Sequence, residues 1–286
     1  MNKVKKHILS FISLLIAFST FTCLTVNADT YYTEGDYKYK YLTEDTIMLS
    51  DYFGDSNVLT IPDTFLDRKV ISVEPNAFYQ NTQIEYINFG KYFTTVSAMG
   101  FSASGLKELT LPSSMEKLVW SAFSDCAELT TVTITDSALT TIPKTCFYNC
   151  PKLSTVNLGN NITTIEQFAF SDCTSLISIT IPKATTTIAS NAFRNCTNLT
   201  IYGYADSYAQ QYATENNIPF VVIPEYEIGD VDLSGRVDVK DATLIQSYIA
   251  SLTTLTDEQL AVADVNGDST INVLDATAVQ RSLVGM

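Results

Sequence analysis

The sequence predicts an α+β fold in two unlike parts: a solenoid of short coils, each a strand and a turn, and behind it a small all-α module of two loop-helix motifs. Three observations carry this reading. Phenylalanine recurs at Phe78, Phe101, Phe123, Phe147, Phe170 and Phe193, at spacings of 23, 22, 24, 23 and 23 residues. An aliphatic residue stands five places before each, at Val73, Val96, Leu118, Ile142, Ile165 and Ile188. And DVDLSGRVDVKD, Asp230 to Asp241, returns 34 residues later as DVNGDSTINVLD, Asp264 to Asp275, each copy running into a helix-like segment.

In chain order the first element is a leader. MNKVKKH is a basic start, ILSFISLLIAFSTFTCLTV an apolar run, and VNA ends in a small residue suited to a signal peptidase. Residues 1–28 are therefore read as a cleaved signal peptide, the alternative being a membrane anchor. No later apolar run is long enough to span a bilayer, so the mature chain is expected outside the cell. Cleavage removes Lys3, Lys5 and Lys6 and no acid, which takes the formal charge from -14 to -17. Such a chain repels phosphate backbones, which argues against nucleic acid as a partner and favours divalent cations. The single histidine, His7, lies in the leader. A mature chain without histidine excludes a Ser-His-Asp triad, a Cys-His pair and His-ligated metals.

Residues 29–70 are expected to form an N-terminal β cap. EGDYKYKYLTEDTIMLSDYFGDSNVLTIP alternates like hairpin strands, with TEDT and FGDSN as turns. Residues 71–200 hold the coils. After each phenylalanine comes a strand pattern such as Leu129/Val132/Ile134, Leu153/Val156/Leu158 or Leu176/Ile179/Ile181. One coil cannot bury its apolar face alone, so neighbours stack and share a core. Cys126, Cys150, Cys173 and Cys196 sit three residues after successive phenylalanines, and Cys146 takes the place before Phe147. Disulfides are one reading in a secreted chain, but the shared register and the odd number of mature cysteines favour buried thiols. Glu108, Thr110, Thr131, Thr133, Thr155, Asn157, Ser178 and Thr180 mark a polar strand face, either a recognition surface for protein or glycan or merely a solvated one. Trp120 is read as a surface aromatic, with stacking on a ligand as the alternative.

These coils resemble the BspA-like, or treponemal, class of leucine-rich repeats, with a unit of roughly L-x-x-I-x-I-P, a linker, then I-x-x-x-A-F-x-x-C. Gly100 and Ser104 depart from that unit, which predicts a distorted coil at Phe101. Residues 201–223, with DSYAQQYATENNIPFVVI, are expected to close the solenoid with a helix begun at Asp206 or Ser207, ended near Asn216 to Asn217, and followed by an edge strand. Residues 224–229 form a linker.

The tail, 230–286, carries the chemistry. Calcium takes six to eight oxygens, and a twelve-residue loop supplies them from places one, three, five, seven through its carbonyl, nine directly or through water, and twelve. Loop one offers Asp230, Asp232, Ser234, the Arg236 carbonyl, Asp238 and Asp241; loop two offers Asp264, Asn266, Asp268, the Thr270 carbonyl, Asn272 and Asp275. Two calcium ions are expected, with Val237 and Ile271 at place eight tying the loops to the core.

An Asp at place twelve and an entering segment, EYEIG, too short for a helix set this apart from an ordinary EF-hand. The duplicated half-hand over residues 228–284 looks like a type I dockerin, the module by which secreted proteins plug into cohesins on a scaffoldin. The resemblance implies cohesin-facing positions at Val239, Lys240, Gln246 and Ser247 in the first half, and Val273, Leu274, Gln280 and Arg281 in the second. Ser269 stands where glycine usually makes the sharp turn, which predicts weaker binding in loop two. Lys240 against Leu274, and Ser247 against Arg281, make the halves unequal. The expected role is a non-catalytic docking component of a cellulosome-type complex with repeats for recognition or adhesion. The alternatives are a carbohydrate-active subunit of the same complex and a free adhesin with a calcium-stabilised tail.

Overall fold

The computed structural model describes residues 30–223 and 226–285. The expected leader lies outside the described residues, as do Pro224 and Glu225 of the expected linker. Among the described residues no helix is long and apolar enough to cross a membrane.

The chain opens with β1 (Tyr31–Glu34), β2 (Tyr37–Tyr41) and β3 (Thr46–Tyr52), an antiparallel meander whose tight turn at Gly35 adopts φ +56. β4 (Val58–Thr60), β5 (Thr64–Phe65) and β6 (Arg68–Val73) lead into the coils. The coils pair a longer strand with a two-residue one: β7 (Tyr86–Asn88) with β8 (Thr95–Val96), β9 (Glu108–Leu111) with β10 (Lys117–Leu118), β11 (Thr131–Ile134) with β12 (Thr141–Ile142), β13 (Thr155–Asn157) with β14 (Thr164–Ile165), and β15 (Ser178–Thr180) with β16 (Thr187–Ile188). Then follow β17 (Thr200–Gly203), α1 (Tyr208–Glu215) and β18 (Phe220–Val222).

Each coil therefore has two strands where the sequence pattern announced one. The second column is built on the aliphatic residues before each phenylalanine, with Val73 opposite Val96, Val96 opposite Leu118, Ile142 opposite Ile165 and Ile165 opposite Ile188, all parallel. The first column runs through β4–β7, β9–β11–β13 and β15–β17–β18, also parallel. Parallel pairing of β4 with β7 and of β3 with β6 carries the coil pattern back into the segment expected as cap.

A turn ladder closes the coil, and it explains the residues around the phenylalanine. Residues two places before and two places after it adopt left-handed backbone in five coils, for example Ser121 and Asp125 around Phe123, and Thr145 and Asn149 around Phe147. Asn and Asp tolerate that conformation best among non-glycine residues, which fits Asp125, Asn149, Asp172 and Asn195. The turned backbone lets the phenylalanine N–H of these five coils donate to the next coil, as from Phe123 to the Cys146 carbonyl at 3.0 Å and from Phe147 to Ala169 at 2.8 Å. The rings stack inside with centroids 4.9, 5.7, 5.6, 5.4 and 5.4 Å apart from Phe78 to Phe193. A parallel ladder of Ile84, Leu106, Leu129, Leu153, Leu176 and Leu199 is equally buried.

The coil at Phe101 is not distorted. Gly100 and Ser104 are smaller than the residues they replace, so they fit without displacing the ring. Ser104 Oγ still meets Cys126 Sγ at 3.4 Å, and at Gly105 a Cβ would collide with the Thr82 carbonyl at 2.2 Å. The solenoid ends as its sequence indicates. Ser207 caps α1, Asn216 ends it, Tyr212 sets its ring edge-on to Phe193 at 6.1 Å, and β18 pairs with β17 along its own sheet edge.

Cys126, Cys146, Cys150, Cys173 and Cys196 are all free and buried. Four of them donate to the phenylalanine carbonyl of the preceding coil: Cys126 to Phe101 at 3.2 Å, Cys150 to Phe123 at 3.4 Å, Cys173 to Phe147 and Cys196 to Phe170 at 3.1 Å. The recurring cysteine is thus a small apolar filler with one weak donor. Burial raises the thiol of Cys146 well above its ordinary value and that of Cys196 to about 12. A thiol reagent at neutral pH should label none of these five cysteines in the native chain and all five once it is unfolded in denaturant; labelling of the native chain would show that the coils open.

Candidate metal and docking site

The tail has its own small core. Val231, Ala242, Ile245, Val262, Ala263, Ala276 and Val279 are buried together, with Val237 and Ile271 packed against them. Three helices frame it: α2 (Val239–Ile249), α3 (Asp257–Ala263) and α4 (Val273–Leu283). α3 went unread in the sequence, although Thr256 and Gln259 form a capping box that announces it. It gives loop two an entering helix that loop one lacks. Gly229 was likewise missed: at φ +98 it sits against Val237 and Val279, and its N–H bonds the Val262 carbonyl at 2.8 Å, tying the entrances of the two loops together.

The first-place aspartates fold the loops. Asp230 accepts from the N–H groups of Ser234 and Gly235 at 3.0 and 2.8 Å, and Asp264 from those of Asp268 and Ser269 at 3.1 and 2.8 Å. The twelfth-place aspartates close them. Asp241 accepts from Asp232 N–H at 2.8 Å and Asp238 N–H at 2.7 Å; Asp275 accepts from Val265, Asn266 and Asn272 at 2.8, 3.1 and 2.9 Å. Place nine is a helix cap in both halves, Asp238 accepting from Lys240 N–H and Asn272 from Leu274 N–H. Asp238 also approaches Arg236, Nε to Oδ2 at 3.6 Å.

In loop one the carboxylates of Asp230, Asp232 and Asp241 bring oxygens within 4.8 Å of one another, and Asp230 and Asp241 are fully buried. Ser234 Oγ lies 3.5 Å from Asp230 and 3.3 Å from the Arg236 carbonyl, which places five and seven beside the same cluster. Among the described residues no salt bridge reaches these three acids. Close buried carboxylates with no cation are a costly arrangement, and an all-oxygen donor set is what a hard divalent ion requires. The residues of loop one thus fit calcium.

Loop two is more open. Asp264 is half-buried, Asn266 replaces the third-place acid and bonds Asp268 at 3.0 Å, and the Thr270 carbonyl accepts from Asn272 at 3.0 Å. Backbone strain, however, does not single loop two out. Each loop needs left-handed backbone at places four and six, and each spends one glycine there: Leu233 at φ +58 with Gly235 at +88, against Gly267 at +74 with Ser269 at +66. Replacing Ser269→Gly should remove roughly 1 kcal/mol of strain, which corresponds to about fivefold tighter calcium in loop two by calorimetric titration. No gain would show that the serine is held without strain.

The eight positions expected to face a cohesin fall on the helices that the loops cap. Val239 at 63%, Val273 at 61% and Leu274 at 58% exposure put apolar side chains in solvent at the starts of α2 and α4. Lys240, Gln246, Gln280 and Arg281 are exposed, and Ser247 is half-buried with its hydroxyl donating to the Thr243 carbonyl. A shallow cleft of about 350 Å³ between loop two and α4 runs past Leu274, Thr277 and Arg281. On the repeats, Glu108, Thr110, Thr155, Asn157 and Thr180 are exposed and Thr131, Thr133 and Ser178 half-buried, one polar face along the first column.

Comparison with known proteins follows the same division. A BspA type leucine rich repeat region matches in six copies over residues 57–205, just over half of the chain and wider than the 71–200 expected from the phenylalanine pattern. A dockerin type I domain matches residues 228–284. Neither family model describes a catalytic domain. No curated relative matches the chain. Among solved structures it is similar to the T. pallidum leucine rich repeat protein at 26% identity, covering 58% of this chain and 68% of that one with a TM-score of 0.40. It is also similar to a leucine-rich repeat protein from Eubacterium ventriosum at 23% identity, covering 55% of this chain and 49% of that one with a TM-score of 0.41. The chain thus spans about half the length of that second structure. By the repeats that fill more than half its length, the chain belongs to the BspA-type leucine-rich repeat family, and it carries a type I dockerin at its C-terminal end.

Proposed function

We propose that this is a secreted, non-catalytic component that docks through its calcium-loaded tail onto a cohesin of a scaffoldin, within a cellulosome-type polysaccharide-degrading complex. The repeats carry recognition or adhesion toward protein or glycan. The observation that supports docking most is the cluster of Asp230 and Asp232 with Asp241 of the first turn of α2, two of the three fully buried and all within 4.8 Å. In this reading a first ion is held by Asp230, Asp232, Ser234, the Arg236 carbonyl and Asp241, and a second by Asp264, Asn266, Asp268, the Thr270 carbonyl and Asp275, with Asp238 and Asn272 contributing through water beside their capping role. The ions supply the positive charge that lets the carboxylates stay close. The chain's own residues then fix the starts of α2 and α4, which present Val239, Val273 and Leu274 to the partner.

The division into leader 1–28, cap 29–70, repeats 71–200, closing cap 201–223, linker 224–229 and docking module 230–286 belongs to the same proposal, with the first coil reaching back toward residue 57. The test is a pull-down of the full chain against a panel of cohesins with calcium and with chelator, beside hydrolysis assays on plant polysaccharides. Calcium-dependent capture without hydrolysis is the expected result. Capture by no cohesin favours the free adhesin, and hydrolysis favours the enzyme.

A further inference from the structure

Stacked coils ask for the same kind of residue at the same place, so departures from the repeat stand out. Six residues before the coil phenylalanines come Ser72, Thr95, Lys117, Thr141, Thr164 and Thr187, a column of hydroxyls with one lysine. Three residues before them come Pro75, Ala98, Trp120, Lys144, Gln167 and Ser190, a column with one aromatic and, one coil later, a lysine. The departures converge in space. Lys117 and Trp120 of one coil, Pro143, Lys144 and Thr145 of the next, and Glu166 of a third line an open cleft of about 550 Å³, a size within the roughly 300–1,000 Å³ of small-molecule sites.

Trp120 is the only tryptophan of the chain, yet it stands 51% exposed. Lys117 and Lys144 are exposed and enter no salt bridge among the described residues, whereas Lys40, Lys91, Lys107 and Lys152 each pair with a carboxylate. In a chain of formal charge -14, two exposed lysines that share one cleft with an exposed indole are a concentrated use of scarce cations. Glu166 is held at the cleft because its carboxylate accepts the Lys144 N–H at 2.8 Å.

We propose that this cleft binds an acidic saccharide, a pyranose carrying a carboxylate, such as the uronate units of an oligosaccharide. The flat C–H face of the ring stacks on the Trp120 indole. The sugar carboxylate meets the ammonium groups of Lys117 and Lys144, and Glu166 accepts from a ring hydroxyl. A neutral sugar would leave the two lysines without a partner, and an acidic peptide offers the charge without the flat apolar face that the indole presents. The inference rests on reading the repeats as the recognition part of the chain and gives that part a ligand class; it does not depend on docking by the tail.

The only indole of the chain also reports its own site. The full chain, with calcium in excess so that the saccharide does not unload the tail, is titrated with trigalacturonate, xylotriose and pentaglutamate while tryptophan fluorescence is followed. Trigalacturonate is expected to give a saturable change that weakens with salt, and the other two at least about tenfold weaker binding. The double variant K117Q/K144Q should lose about tenfold in affinity for trigalacturonate by fluorescence, and W120A a similar factor by calorimetry. No response to trigalacturonate, equal binding of xylotriose or of pentaglutamate, or an unchanged lysine variant would overturn the proposal. Cohesin capture by the same samples is measured in parallel, so failure of the cleft and failure of the docking reading are separate results.

Discussion

Removing calcium from the full chain with a chelator should abolish most of the helical signal of residues 230–285 while the repeats stay folded. Among the described residues α2, α3 and α4 have 11, 7 and 11 residues against 8 in α1, so their helical circular dichroism comes mainly from the tail. Their core is thin. Three of its seven buried residues are alanines, and such a module gains too little from burial to offset the entropy of ordering its chain. Loop one also holds three carboxylates within 4.8 Å of one another, and each unscreened pair costs roughly 3 kcal/mol at an effective dielectric near 20. Ion binding cancels that repulsion and links loop folding to helix formation, because Asp241 and Asp275 both close a loop and cap a helix. Trp120, in the repeats, serves as the internal control, and its fluorescence should not change. Tail helices that persist in metal-free buffer would show that the seven-residue core suffices and would remove the basis for calcium-gated docking.

The parts that were legible in the sequence are those where one physical demand fixes one residue type. Phe123 and Phe147 must stack ring on ring, and Asp230 and Asp264 must accept two backbone N–H groups each, so the spacing of both sets is visible in the chain. What stayed hidden depends on neighbours. The two-residue strands β8, β10, β12, β14 and β16 are too short to show alternation, and they exist because each lies against the same strand in the next coil. The left-handed positions around each phenylalanine could have been read from Asp125, Asn149, Asp172 and Asn195, but Met99, Ala103, Ser121, Thr145 and Phe168 share that backbone without any such mark. α3 is brief and polar on its outer face, and only its capping box distinguishes it from a loop. The candidate ligands stand in the sequence only as donor types, and the unlike exposure of Asp230 and Asp264 could not be read there, since it arises from how the halves pack.

The second large effect concerns the ladder at the centre of the repeats. Phe147 is fully buried between Phe123 and Phe170, with centroids at 5.6 and 5.4 Å and ring planes within 7° and 13°. Phe147→Ala opens a cavity in the middle coil and should destabilise the repeats by about 3–5 kcal/mol. A solenoid is coupled only through neighbouring coils, so the damage does not stay local. The coils on either side lose the surface that couples them, and the single urea transition is expected to fall in midpoint and broaden as the two flanks begin to unfold separately. Phe193→Ala is the comparison, because its ring has a stacked neighbour on one side and the edge of Tyr212 on the other, and it should cost less and leave the transition sharp. Trp120 fluorescence reads the flank before the cavity, and the calcium-dependent signal of the tail should keep its midpoint in both variants. If Phe147→Ala loses no more than Phe193→Ala, the rings are filling space one by one, and the continuous stack is not what joins the coils into one cooperative unit.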